Sequence, residues 1–316
     1  MKKFAINLLT FIPFAVILYM AFLIFFAKTI PSRYQKNMLV LKDHMTDRLA
    51  EAKTRKNVDI LFLGSSHSYR GFDTRIFAKE GLNAFNFGSS AQTPIQTDYL
   101  LTKYLDSLKP KLVIYEVYPV TFTIDGLEST MNITTSEKIN MDLFSMVIQQ
   151  KSIKALNTML LSGCDELFNF GLIKRKNKEV EKYISGGYVE QKLEYFDRTP
   201  RPRQALEFNE SQFKYFEKNL LQLKERNIKY ILVQAPYPKT TYNAFTNLDG
   251  FDQRMRKYGP YYNFNKCMDL DDSLNFMDDS HLNHNGVVAF NRQLLDTLKS
   301  KRYEYLRQLI IATHTP

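Results

Sequence analysis

From Phe4 to Ala27 the chain runs 24 residues without a charged side chain. At about 1.5 Å of rise per residue, a helix of that length exceeds the roughly 30 Å hydrocarbon core of a bilayer. A cleaved signal peptide carries a shorter apolar stretch of about 7–15 residues and a small-x-small cleavage site. This run is longer, and Phe25-Phe26-Ala27-Lys28 offers no such site. A core helix apolar on every side would need protein all around it, which the edge of a chain rarely finds. The segment therefore reads as an uncleaved membrane anchor, with Asn7, Thr10 and Pro13 tolerated inside it. The folded body must come from the residues C-terminal to it.

Charge supports that division. The chain holds 43 Lys plus Arg against 33 Asp plus Glu, a formal net charge of +10. Lys2 and Lys3 precede the apolar run, and eight basic residues face only Asp43, Asp47 and Glu51 between Lys28 and Lys56. Thus +7 of the +10 lies before residue 57 and the body is nearly balanced. A nucleic-acid binder carries its basic face on the folded domain, so the excess reads as membrane attachment and no nucleic-acid partner is expected. Orientation stays open on these counts. Lys2 and Lys3 oppose Lys28, Arg33, Lys36 and Lys42, and long domains translocate largely regardless of charge. Two cysteines, Cys164 and Cys267, exclude a disulfide scaffold and a Cys-rich zinc site.

The expected organisation is a short cytoplasmic head at 1–3, the anchor at 4–27, a basic stalk at 28–56 and a folded domain at 57–316. In the stalk, Leu39, Val40, Leu41, Met45 and Leu49 recur at helical spacing, which predicts a short helix near the headgroups. Buried-strand patterns occupy Val58–Gly64, Asn83–Gly88, Lys111–Val117 and Lys229–Gln234. Helices are predicted from Thr93-Pro94 to Leu108, over Ser211–Glu225 and over Gly286–Lys301. Residues 125–205 read as an insertion, helical around Ser136–Leu161 and turn-rich from Ser185-Gly186-Gly187 to Arg201-Pro202. Strands alternating with helices at this spacing predict an α/β domain whose parallel sheet is covered on both faces.

In such a sheet, ligand sites gather at the carboxyl ends of the strands. Three strand ends carry Gly64-Ser65-Ser66-His67, Gly88-Ser89-Ser90 and Glu116-Val117-Tyr118-Pro119, and Asp278-Asp279-Ser280-His281 precedes the last helix. A serine becomes a nucleophile only when a base takes its proton, and an imidazole base must be held in one tautomer by a carboxylate. Ser66, His281 and Asp278 supply those three groups. Simple caps are the competing account: Asp278 or Asp279 for the final helix, Ser65 or Ser66 for the first. The pair His281-x-x-His284 lacks a further cluster of ligands, so neither metal nor cofactor is expected.

Leu63-Gly64-Ser65-Ser66-His67-Ser68, Asn86-Phe87-Gly88-Ser89-Ser90 and Asp278-x-x-His281-Leu282-Asn283 resemble, in order and spacing, the SGNH/GDSL hydrolase superfamily. The resemblance covers about residues 57–300 apart from the insertion and implies a flavodoxin-like three-layer α/β/α sandwich. It also implies Ser66 as nucleophile, His281 as general base, Asp278 as orienting carboxylate, and the Ser66 and Gly88 amides as oxyanion donors. Two positions depart from the family pattern: Ser65 stands where an Asp is usual, and Glu116-Val117-Tyr118-Pro119 replaces the Asn-bearing oxyanion block. Ser65, His67, Gln92 and Glu116 are then the candidate substrate-binding residues, with Gln92 or His67 as a third donor.

The Gly-Ser-Ser form behind an N-terminal anchor is similar to the D-alanyl transfer protein of teichoic acid decoration and to alginate O-acetylation proteins. That likeness implies an extracytoplasmic domain beside a membrane-bound O-acyltransferase, with a cell-surface polysaccharide or other glycan as substrate. The expected activity is a serine esterase or O-acyltransferase acting on O-acyl groups, O-acetyl foremost. The alternative is a catalytically weak subunit that binds glycan or scaffolds the acyltransferase. Tyrosines in Tyr183–Tyr195 and Tyr237–Tyr262 fit either a sugar cleft or ordinary packing.

Overall fold

The computed structural model of the chain describes residues 2–29, 40–41, 44–175 and 181–300. Leu39, the stalk cations Arg33, Lys36 and Lys42, and Lys301 lie outside them. The helices are α1 (Lys2–Thr29), α2 (Met45–Thr54), α3 (Ser66–Gly71), α4 (Thr74–Lys79), α5 (Pro94–Leu108) and α6 (Leu127–Thr134). They continue with α7 (Met141–Gln149), α8 (Ile153–Phe168), α9 (Glu210–Glu225), α10 (Leu248–Tyr258) and α11 (His284–Lys299), besides single-turn pieces.

One sheet organises the body. Its strands are β1 (Ile60–Leu63), β2 (Ala84–Asn86), β3 (Leu112–Glu116), β4 (Lys229–Gln234) and β5 (Tyr261–Asn263). They lie in the order β2-β1-β3-β4-β5, and every pairing is parallel. This is the flavodoxin-like order. Residue parity divides the core into two layers. Leu61, Leu63, Val113, Tyr115 and Leu232 pack under α2, α5, α9 and α10, whereas Ile60, Phe62, Leu112, Ile114 and Val233 pack under α4 and α11. Strands buried on both faces need apolar residues at successive positions, which is why β1 and β3 show no alternation in the sequence. The expected α/β fold with its parallel sheet is the observed one, and the end of the Tyr-rich stretch contributes the edge strand β5.

One reading needs correction. The segment Met45–Thr54 does not form a headgroup-lying stalk helix: Met45, Leu49 and Ala52 are buried in the core beneath α5. Its polar side builds structure as well. Arg48 Nε donates to the Gly187 carbonyl (3.0 Å), and Glu51 accepts from the Gly186 N–H (2.9 Å). Those glycines turn the hairpin Glu181–Ile184/Tyr188–Gln191, and the Gly186 carbonyl takes the Asn86 N–H (2.7 Å), covering the free edge of β2. A Cβ at Gly187 (φ +87°) would stand 2.1 Å from the Asn86 carbonyl oxygen, so the approach requires glycine there. The stretch read as helical around Ser136–Leu161 holds two helices, α7 and α8, separated where Lys151 takes a left-handed φ of 48°.

The apolar N-terminal segment forms α1, and its Leu9–Thr29 stretch is long and apolar enough to cross a membrane. Near its C-terminal end, Leu23, Ile24 and Ala27 pack against Leu161 and Leu172.

Candidate active site

The chain leaves β1 at Gly64, whose φ of +134° and contact with Glu116 leave no room for a Cβ. Ser65 then caps α3, its Oγ accepting from the His67 N–H (3.3 Å). Capping thus falls to Ser65, and Ser66, the first residue of α3, turns its Oγ to within 2.7 Å of His281 Nε2. Across the sequence, a bridge between Phe276 and Leu282 closes a tight loop in which the Met277 N–H reaches the His281 carbonyl (2.9 Å). Asp278 is fixed inside that loop, its Oδ1 accepting from the Ser280 N–H (2.8 Å) and the His281 N–H (2.7 Å). Its two oxygens lie 3.0 and 2.9 Å from His281 Nδ1. Asn283, not Asp278 or Asp279, caps α11 through the Gly286 N–H (3.2 Å). The carboxylate is therefore not spent on a helix end.

Electrostatics order the protons along this line. Burial pushes the Asp278 pKa up, but the hydrogen bond and charge of His281 and the two loop amides outweigh it and hold the carboxyl well below the usual range. An ionised Asp278 places the imidazole proton on Nδ1, leaving Nε2 to accept from the Ser66 hydroxyl. His67 lies buried beside them, its ring 5.0 Å from that of His281 and 3.9 Å from that of Tyr118. Burial, then the neighbouring His281, push the His67 pKa well below that of a free imidazole, so His67 is neutral. Its Nδ1 lies 3.3 Å from Ser65 Oγ, and Ser65 in turn offers its N–H and hydroxyl to Glu116 Oε2, both at 3.2 Å. Burial raises the Glu116 pKa to about 8 against the lowering effect of those Ser65 bonds.

Around Ser66 and His281 opens a cleft of about 800 Å³. Ser65, His67 and Tyr118 line it together with Glu128, Arg201 and Leu206. The stretch from Arg201 to Leu206 is tied to the body where Gln204 exchanges backbone hydrogen bonds with Ala244 (2.8 Å) and Thr246 (3.0 Å), and where Arg201 pairs with Asp279. Glu116 lies beneath the Ser65 turn and does not line the cleft.

Two expected residues are placed differently. The Gly88 N–H donates to Asn86 Oδ1 (3.1 Å), a Cβ at Gly88 would collide with the Ser65 and Gly64 carbonyls and Ser68 Cβ, and Gly88 does not line the cleft. Gln92 is buried, accepting from Ser89 Oγ (2.9 Å) and donating to Thr97 Oγ1 (2.9 Å), and does not reach the cleft. Ser90 and Ala91 are the cleft residues of that loop, Ala91 at a left-handed φ of 52° in the turn closed by the Gln92 N–H on the Ser89 carbonyl (3.2 Å). No sequence signal marks Ala91, because alanine seldom takes that conformation. Arg201 escapes sequence reasoning for another reason: only the return of the insertion across the sheet brings it to the rim. The tyrosines mostly pack. Tyr237 is buried among Tyr118 and Phe245, Tyr188 lies in the core, and the Tyr261 hydroxyl bonds Gln234 and Asp252. Cys164 and Cys267 are both free thiols.

Among solved structures, a GDSL-like lipase from Bacteroides thetaiotaomicron is similar at a TM-score of 0.41 and 13% identity, covering 81% of this chain and 98% of its own. A candidate acylhydrolase from Bacteroides fragilis is similar at 0.38 and 12%, covering 80% of this chain and 95% of its own. A gut microbial diltiazem-metabolizing enzyme reaches 0.26 at 13% identity, over 77% of this chain and 47% of its own. No curated protein matches the chain significantly. The family described as "Protein of unknown function (DUF1574)" matches residues 10–197, from the apolar helix through Ser66 to the end of the β-hairpin region; this is more than half of the chain, and the chain belongs to that family.

Proposed function

We propose that the chain is a membrane-anchored serine esterase or O-acyltransferase of the SGNH type, acting on O-acyl groups, O-acetyl foremost, of a cell-surface glycan. The observation that carries this reading is the unbroken line from Ser66 Oγ through His281 (2.7 Å) to Asp278 (2.9 Å) at the wall of an open cleft. Ser66 Oγ attacks the acyl carbonyl as its proton passes to His281 Nε2, and Asp278 stabilises the imidazolium. The oxyanion is received by the Ser66 N–H at the start of α3. Collapse of the tetrahedral intermediate expels the alcohol, protonated by His281, and leaves an acyl ester on Ser66. Water or a sugar hydroxyl, deprotonated by His281, then takes the acyl group, giving hydrolysis or transfer. With α1 in the membrane and the body on the extracytoplasmic side, a membrane-bound O-acyltransferase is the natural donor for transfer.

A fluorophosphonate probe tests the assignment. The expected result is one adduct, on Ser66, lost together with hydrolysis of a short-chain acyl ester in Ser66→Ala and His281→Ala. Full activity in both variants would sink the proposal. A second reading, a glycan-binding or scaffolding subunit of weak activity, draws on the engagement of the Gly88 N–H and the absence of an asparagine in the Glu116–Pro119 block. Glycan binding unaffected by Ser66→Ala, with no probe adduct on the native chain, would favour it.

A further inference from the structure

Large apolar side chains left exposed are not scattered over this molecule. Of the twelve outside α1 among the described residues, eight fall between Ile139 and Phe170, on α7, α8 and their flanks. On α7, Met141, Phe144 and Ile148 share one exposed face, while Leu143, Met146 and Val147 face the body. On α8, Ile153, Leu161 and Phe168 fall along one stripe with Asn157 and Cys164 at spacings of three and four. That stripe is the one that meets α1. Leu161 and Cys164 pack with Leu23, Ile24 and Ala27, the Tyr19 hydroxyl donates to Asn157 Oδ1 (2.5 Å), and the Lys28 ammonium lies 4.7 Å from the Phe170 ring.

These contacts fix the direction of α8 relative to the apolar span. Rising residue numbers on α1 (Tyr19, Leu23, Ala27, Lys28) meet rising numbers on α8 and just beyond it (Asn157, Leu161, Cys164, Phe170), so the two helices run side by side in the same sense. Ile153 lies one turn before Asn157, about 6 Å further toward the N-terminal half of α1. Its level is therefore inside the Leu9–Thr29 stretch, and Ile153 is 67% exposed there. A surface of this kind beside a membrane-spanning helix meets acyl chains.

We infer that α7 and the first turn of α8 form a second membrane contact, an apolar face that enters the bilayer beside α1 and holds the body against it. The occupant is lipid acyl chain, and the reason is continuity with the apolar span on which α8 already rests. Two attachment points fix the attitude of the domain, and hence the height and direction of the cleft, where a single flexible tether would fix neither. The inference rests on α1 being embedded, and a probe in each segment separates the two.

The chain contains no Trp, so a single introduced Trp reports alone. The full-length protein carrying Ile153→Trp, Phe144→Trp, Phe14→Trp or Leu221→Trp is reconstituted in phosphatidylcholine bilayers with and without bromine on the acyl chains. Each substitution replaces an exposed side chain. Emission from Ile153→Trp and Phe144→Trp is expected to be lost to the brominated lipid as it is from Phe14→Trp in α1, while Leu221→Trp on α9 keeps its emission. Quenching of Phe14→Trp without quenching at Ile153 and Phe144 overturns the second contact and leaves the anchor. Absence of quenching at all three overturns both. Unquenched but blue-shifted emission at Ile153 and Phe144, with a dimer in solution, assigns the face to a second copy of the chain and likewise overturns the inference.

Discussion

Glu116→Gln isolates the buried carboxyl under the nucleophile turn. Glu116 ends β3, is 2% exposed, and accepts from the Ser65 N–H and hydroxyl on one oxygen, while its Oε1 has no hydrogen-bond partner among the described residues. Burial raises its pKa from 4.5 to about 8. Because the folded value lies above the unfolded one, the native state binds more protons than the unfolded state between those two pH values. Stability contributed by this group is therefore greatest below pH 4.5, falls as pH rises, and levels off above pH 8. At 1.36 kcal/mol per pH unit, the loss between pH 5 and 7.5 is on the order of 3 kcal/mol. For a body of this size that corresponds to about 5–10 °C in Tm.

Glutamine mimics the protonated carboxyl and cannot ionise, so the variant should match the native protein near pH 5 and melt about 5–10 °C higher at pH 7.5. The assay is thermal unfolding of the two full-length proteins in one detergent across that range. Activity at pH 7 should survive, since the neutral side chain still accepts from Ser65 and touches no part of the Ser66–His281–Asp278 line. Parallel Tm curves at every pH would refute the reasoning, for they would mean that Glu116 is ionised in the fold.

Asp278→Asn should lower kcat/KM for a short acyl ester by about 10²–10⁴, because an amide facing His281 Nδ1 favours the tautomer that cannot accept from Ser66. Steady-state kinetics against Ser66→Ala as the floor reads this, and retention of activity within a factor of about ten would remove Asp278 from the mechanism. Ala91→Gly should stabilise the fold by about 0.5–1 kcal/mol without loss of probe labelling, since glycine takes the left-handed φ without a Cβ clash. Urea unfolding measures it, and destabilisation would show that the Ala91 methyl contributes packing that outweighs the strain.

Much of this architecture is legible in the residues themselves because burial leaves a local trace. Ile60–Leu63 and Leu112–Glu116 have to be apolar at successive positions to lie inside a covered parallel sheet. Thr93-Pro94 has to open a helix, and Gln96 accepts from the Thr93 N–H (2.9 Å) as such a start requires. Ser66, Asp278 and His281 can be singled out because the chemistry of a nucleophile, a base and an orienting carboxylate restricts residue type. The stalk reading fails because helical spacing reports that one face is apolar, not what covers it. Met45, Leu49 and Ala52 serve a protein core as well as a headgroup layer.

The apolar span at Phe4–Ala27, the α/β alternation and the three residue types of the candidate site are thus properties of the sequence alone, since each is written in composition or period along a short stretch. The rest belongs to the closed fold. It gives the helix cap to Ser65 and so leaves Ser66 to His281, turns the Gly88 amide inward onto Asn86, puts Ala91 in the cleft, and brings Arg201 to its rim. Those outcomes depend on which of several competent partners lies within hydrogen-bond reach once the chain has closed. Reach between residues some 200 positions apart is set by packing of the whole fold rather than by any local pattern.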